Sequence, residues 1–105
     1  MEGNSMALKM WLEEGIHEEH EVTVSDGKTK ELLFFPFKMF HLDVLNKEDS
    51  ANNVKVMINA QSLPQACTLE PGRGREFEAK KPKYWRVALY VEAGETATVR
   101  VTATW

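Results

Sequence analysis

The densest group of metal-binding residue types in the sequence is His17-Glu18-Glu19-His20-Glu21. A zincin-type site needs two histidines at positions i and i+4 of a helix, with a glutamate between them. Here the two histidines are three residues apart, and on a strand such positions point to opposite faces of the sheet. We therefore predict a solvated acidic edge at this segment and no metal site.

The remaining chemical motifs also argue against an active site. Cys67 is the only cysteine, which excludes an internal disulfide and a thiolate metal cluster within one chain. A blue-copper site needs a histidine soon after the cysteine, and none follows Cys67, which excludes such a site. Free cysteine is among the most buried residue types, so we predict an inert thiol in the core. The glycine-rich segment 70–75 lacks the Gly-Lys-Ser/Thr that completes a phosphate loop. We predict no enzyme, no catalytic residue and no cofactor.

A basic and aromatic stretch, residues 73–86, is of the kind that binds single-stranded nucleic acid. Its Trp85 is in phase with the apolar residues that follow it, and the chain carries a net charge of -3, so we predict that nucleic acid is not a partner. Tyr84 and Tyr90 share one face of the same predicted strand. They offer a platform for sugar rings, although such pairs also stabilise sheets, and carbohydrate binding is therefore the alternative function.

The segment 34–40 holds five bulky apolar residues in seven positions, more than one face of a strand can bury. We expect some of them to lie in a protein contact. Charge is also unevenly spread: residues 1–31 carry three basic and eight acidic groups, and residues 71–105 carry seven basic and four acidic groups. Such asymmetry steers copies of a chain together. The predicted interface residues are Phe34, Phe35, Phe37, Met39, Arg73 and Arg75.

The elements that position these residues are strands. Apolar and polar residues alternate with a period of two over residues 54–59, 84–91 and 96–105. Gly94, in the connection 92–95, predicts that the last two strands form a C-terminal hairpin. Asp26-Gly27 between two β-prone runs predicts a second hairpin.

Other segments are less regular. Pro36 cannot donate to a sheet ladder, so we predict a bulge or a crossing between sheets before a strand at 38–45. Residues 46–53 and 61–66 are predicted as loops. Residues 6–14 fit a helix and a strand almost equally well, with a slight preference for a strand.

These observations bound the fold. The chain has 105 residues, 43% of them apolar, which suits one ordinary domain, and its longest apolar run is too short to span a bilayer. We predict a tail at residues 1–5 and a single domain at 6–105. About seven to eight short strands predict an all-β, antiparallel two-sheet sandwich of jelly-roll or immunoglobulin-like type. We find no N-terminal combination of basic residues, an apolar segment and a small-residue cleavage site of the kind that forms a secretory leader, so we expect a cytoplasmic chain.

The order of features in the C-terminal two thirds adds a resemblance. These features are Leu42-Asp43-Val44-Leu45-Asn46, a polar turn, Asn53-Val54-Lys55-Val56-Met57-Ile58-Asn59, Leu69-Glu70-Pro71-Gly72, a strand at 85–91 and Thr98-Val99-Arg100-Val101-Thr102. The segment 40–105 thereby resembles small β-sandwich decoration, tail and fibre proteins of tailed-phage and prophage virions. The resemblance implies a structural role in a virion without catalysis. We therefore predict an assembly domain whose partners are copies of itself or a larger protein assembly.

Overall fold

A computed structural model describes residues 17–36, 40–60, 63–80 and 83–105. The predictions for the N-terminal residues 1–14 and for Phe37 and Met39 lie outside the described residues. Within the described ranges, no helix has the length and hydropathy that a membrane crossing requires. The strands found there are β1 His17–Ser25, β2 Thr29–Phe34, β3 Phe40–Asn46, β4 Val54–Ala60, β5 Leu63–Leu69, β6 Gly74–Ala79, β7 Trp85–Tyr90 and β8 Thr96–Thr104.

The strands form two four-stranded antiparallel sheets. Sheet A has the order β1-β8-β3-β6, and sheet B has the order β2-β7-β4-β5. Consecutive strands mostly alternate between the two sheets, which is the arrangement of an eight-stranded jelly roll. The predicted all-β sandwich is confirmed, and of the two topologies left open by the sequence the chain has the jelly roll.

Both predicted hairpins are wrong, because each divides its two strands between the sheets. β1 pairs with β8 and β2 pairs with β7, so the Asp26-Gly27 turn and the connection 92–95 both cross from one sheet to the other. The two turns lie side by side: the Asp26 amide donates to the Glu95 carbonyl at 2.8 Å, and the Gly27 amide donates to the Glu92 carbonyl at 3.0 Å. The local residues therefore predicted the positions of the two turns correctly, but the predicted pairing of the flanking strands was wrong.

The predicted loop at 61–66 is wrong from Leu63 onward. β5 pairs with β4 along its whole length, from Ala60 opposite Leu63 to Val54 opposite Leu69. Because β5 is an edge strand of sheet B, its outer side has no partner in the sheet and a proline at position 64 is tolerated. The predicted change of sheet near Pro36 is confirmed, since β2 belongs to sheet B and β3 to sheet A.

The core lies between the sheets and is made by alternate residues of each strand. Phe40, Leu42 and Val44 of β3 are fully buried, as the alternation predicts, and Trp85 is buried as well. Phe40 packs between Trp85 and Trp105, with ring centroids 4.6 and 5.3 Å apart. Aromatic burial on this scale is a main source of stability in a small domain.

At the opposite end of the sandwich, the buried side chain of Asn46 joins two connections. Its Nδ2 donates to the carbonyl of Leu69 at 2.9 Å and to the carbonyl of Asn52 at 3.0 Å. Its backbone amide donates to the Arg73 carbonyl at 2.9 Å, and its carbonyl accepts from the Gly72 amide at 2.7 Å. Asn46 therefore holds the β3–β4 and β5–β6 connections together.

Candidate protein-interaction surface

Of the predicted interface residues, the structure describes Phe34, Phe35, Arg73 and Arg75, and it does not bring the phenylalanines and the arginines together. Phe34 is only 2% exposed and packs on Phe40 with ring centroids 5.5 Å apart, so it belongs to the core, whereas the next residue, Phe35, is 64% exposed. Arg73 and Arg75 lie near the start of β6, and β6 runs antiparallel to β3, which begins at Phe40. At about 3.3 Å per residue, Arg75 and Arg73 lie roughly 13 and 20 Å along the strands from Phe40, towards the other end of the sandwich from Phe34.

The two tyrosines of the carbohydrate alternative are also far apart. Tyr84 lies just before β7 and Tyr90 ends it, so they are separated by roughly 20 Å at about 3.3 Å per residue. One sugar ring cannot stack on both. The Nζ of Lys55 lies 5.7 Å from the centroid of the Tyr90 ring and 2.7 Å from the carboxylate of Glu92, so a paired cation lies over that ring.

His20 and Cys67 are the two residues for which the sequence predicted no chemical role. In β1, the Nε2 of His20 lies 3.2 Å from the Glu18 carboxylate, and the ring packs 5.8 Å from Phe34. Cys67 lies on β5 and is half-buried instead of lying deep in the core. Burial raises the pKa of its thiol, and the nearby Arg75 acts in the opposite direction, so the unreactive protonated form is favoured.

Two of the three most exposed large apolar side chains of the described residues lie on the outer face of sheet B, which we call face B; the third, Phe35, follows the end of β2. Met57 on β4 is 55% exposed, and Leu33 on β2 is 52% exposed. The cross-strand neighbours of Met57 are Ala88 on β7 and Ala66 on β5. A long flexible side chain therefore stands between two small ones in the middle of the sheet, where it remains in contact with water.

A shallow groove of about 550 Å³ follows this arrangement across β4, β5 and β7. Its central lining is Met57, Ala66 and Ala88, and Tyr90 and Lys55 border it. Apolar side chains grouped in this way, with polar groups at the margin, are typical of surfaces that contact other molecules. Face B is therefore the surface of the described residues best suited to binding.

Sequence reasoning missed face B, although part of the signal was present. The alternation of β4 places Val56 and Ile58 in the core, which puts Met57 outward, and an apolar residue at an outward position is an indication of a contact surface. Leu33 was harder to find, because the run at 32–37 is apolar throughout and its phase cannot be assigned from periodicity.

No protein-family model matches the sequence, and no curated protein is similar to it. Several solved structures share its fold. A de novo designed double-stranded β-helix has a TM-score of 0.59 and 19% identity, and the match covers 82% of this chain and 97% of the other. An oxalate oxidase has a TM-score of 0.57 and 12% identity over 84% of this chain and 41% of the enzyme.

A third neighbour is a protein of Bacillus endospore appendages, described as forming a family of disulfide-linked pili. It has a TM-score of 0.52 and 9% identity, and the match covers 86% of each chain. Identities this low show the fold alone. The jelly roll of this chain is thus shared by an enzyme, by a pilus protein and by a designed protein, and its function has to be argued from its own surface.

Proposed function

We propose that this protein is a non-enzymatic assembly module that pairs with a second copy of itself through face B. The observation that carries the proposal is the exposure of Met57 between Ala66 and Ala88, on the same face as the exposed Leu33, whose neighbour is Arg86. Removing apolar surface from water contributes roughly 25 cal/mol per Å². A partner that covers these two side chains therefore gains free energy without any further rearrangement of the sheet.

The register of sheet B supports a symmetric pair. Met57 is opposite Ala88, and Lys55 is opposite Tyr90, across the β4–β7 ladder. A twofold axis that runs along the strands between β4 and β7 places β4 of one copy over β7 of the other. Met57 of each copy then enters the space above Ala88 of the second copy. Face B is therefore complementary to itself.

The size of face B predicts a weak contact. Four strands about 4.8 Å apart, with about six residues of roughly 3.3 Å each, give a flat footprint of roughly 400 Å² per copy. Stable interfaces bury about 800 Å² per partner. We therefore expect a dissociation constant in the range of about 10 µM to 1 mM, since smaller interfaces are characteristic of transient contacts.

A weak contact between copies suits a protein that acts in large numbers. The proposal agrees with the decoration, tail and fibre proteins of phage virions that residues 40–105 resemble, and we propose a virion position of this kind for the chain. A neighbour of similar length and fold, the Bacillus endospore appendage protein, is a pilus component. The twofold contact closes on two copies, so a larger assembly needs a second contact surface. Where such a contact holds the copies close together, the higher effective concentration strengthens the weak pairing through face B.

The test is the native mass measured by light scattering on a sizing column, from well below to well above the expected dissociation constant. The wild-type mass should rise from 12.0 kDa towards twice that value with concentration. Met57→Glu should remain a monomer, because the interface would have to bury an unpaired carboxylate on each copy. Met57 is exposed, so the substitution leaves the core intact, which circular dichroism checks.

Thr23→Glu is the matched control, because it adds the same charge at an exposed position of β1 on the other sheet. It should associate as the wild type does. Charge reversal at Arg73 and Arg75 should also have no effect, since both lie away from face B. A wild type that stays monomeric, or a Met57→Glu variant that dimerises normally, would refute the proposal. A monomer whose tyrosine fluorescence responds to a glycan panel would favour the carbohydrate alternative instead.

A further inference from the structure

A second cluster of functional side chains lies on the outer face of sheet A, away from face B. His41 and Asp43 project from β3, and Glu76 and Glu78 project from the neighbouring edge strand β6. The register places His41 opposite Glu78 and Asp43 opposite Glu76. One imidazole and three carboxylates therefore share one corner of the sheet, contributed by two strands far apart in the sequence.

The imidazole of His41 is held in a defined orientation. Its Nδ1 lies 3.0 Å from Oε2 of Glu78, within hydrogen-bond distance. With the Nδ1 proton donated to Glu78, the Nε2 atom is directed towards the other two carboxylates. It lies 3.4 Å from Oδ2 of Asp43 and 4.0 Å from Oε1 of Glu76. A carboxylate that fixes one ring nitrogen while the other faces ligand atoms is the usual surrounding of a metal-binding histidine.

This arrangement is unfavourable without a positive charge at its centre. Like charges directly opposite each other on neighbouring strands, such as Asp43 and Glu76, destabilise a sheet. Three carboxylates, those of Asp43, Glu76 and Glu78, lie within 3.0 to 4.0 Å of the two ring nitrogens of His41. This corner of the sheet therefore favours a bound cation.

The separations of Nε2 from the two carboxylates also suit a metal ion. Charge-assisted hydrogen bonds are about 2.7–2.9 Å long, shorter than either separation of Nε2 from Asp43 and Glu76. Four tetrahedral ligands at about 2.1 Å from a metal ion are roughly 3.4 Å from one another. The ligand atoms of His41, Asp43 and Glu76 all lie within 4.8 Å of one another, so small side-chain rotations close the site.

We propose that His41, Asp43 and Glu76 bind a divalent first-row transition metal ion, with Zn²⁺ as the best match, and that Glu78 positions the imidazole. An imidazole nitrogen with carboxylate oxygens suits such ions, whereas Mg²⁺ and Ca²⁺ prefer oxygen ligands throughout. The ligand side chains are between 32% and 71% exposed, so the remaining coordination positions are open to water. The site is independent of face B, which lies on the other sheet.

The test uses tag-free protein stripped with EDTA and then titrated with Zn²⁺ by calorimetry. The wild type should bind one ion per chain. His41→Gln and the double variant Asp43→Asn/Glu76→Gln should each weaken binding by about tenfold or more, because each loses direct ligands. His20→Gln is the matched control: His20 has a single carboxylate at 3.2 Å, and its replacement should leave the affinity unchanged.

Two further measurements keep the result unambiguous. Paramagnetic broadening by Mn²⁺ in NMR spectra should centre on β3 and β6, and Cys67→Ser should bind Zn²⁺ as the wild type does. The double variant removes two like charges that face each other across neighbouring strands, so it should remain folded. Equal affinity in His41→Gln and the wild type, broadening spread over the whole acidic face, or no binding below the millimolar range would each overturn the proposal, since His41 would then be only a protonated surface histidine.

Discussion

Replacement of Asn46 by alanine should be among the most damaging single changes to a polar residue in this protein. Asn46 is fully buried, and its Nδ2 donates to the carbonyls of Leu69 and Asn52 at 2.9 and 3.0 Å. These bonds connect two turns that are distant in the sequence. The substitution removes both bonds and leaves their acceptors beside a small cavity.

The magnitude follows from the number of groups affected. Each lost hydrogen bond costs about 0.5–1.5 kcal/mol, and a buried acceptor left unpaired adds about 1–3 kcal/mol. The Oδ1 of Asn46 has no hydrogen-bond partner among the described residues, so its removal returns part of this cost. We expect Asn46→Ala to lower the free energy of unfolding by about 2–4 kcal/mol and Tm by about 10–20 °C in a domain of this size.

Urea denaturation followed by tryptophan fluorescence measures the effect. Asn46→Asp should be at least as destabilising, because a carboxylate of the same shape cannot donate these bonds and carries a charge into the interior. Asn53→Ala is the matched control, because Asn53 is exposed in the same connection. An Asn46→Ala variant that loses no more than about 0.5 kcal/mol relative to Asn53→Ala would show that the two bonds do not hold the connections together.

Two other predictions test the placement of neighbouring or reactive side chains. Phe34→Ser should lower the free energy of unfolding by about 3 kcal/mol or more, because Phe34 is in the core. Phe35→Ser should change the free energy of unfolding by about 0.5 kcal/mol or less, because Phe35 is exposed. Equal effects of the two substitutions in urea denaturation would contradict this assignment. The folded state raises the pKa of Cys67 above its ordinary value of 9.0, so the unfolded chain loses the thiol proton at lower pH than the folded chain. The wild type should therefore lose stability relative to Cys67→Ser as the pH rises above 9.0, and an unchanged difference at high pH would show that the thiol is not desolvated.

The strands and the core were largely predictable from the sequence, because the inward or outward direction of a residue follows from a local period of two. The alternation at 54–59 placed Val56 in the core and Met57 outside, and the structure confirms both. The turns at Asp26-Gly27 and Gly94 were predictable for a similar reason, since a positive φ is a property of one or two residues.

Strand pairing was not predictable, because a turn of the same residues can close a hairpin or carry the chain to the opposite sheet. The choice depends on which strands bury the most apolar surface across the core, and that is a property of the whole chain. Only the tertiary structure placed Met57 between two alanines from separate strands to form face B. Only the β3–β6 register brought His41 to Glu76 and Glu78, because contacts between residues so far apart in the sequence leave no local period.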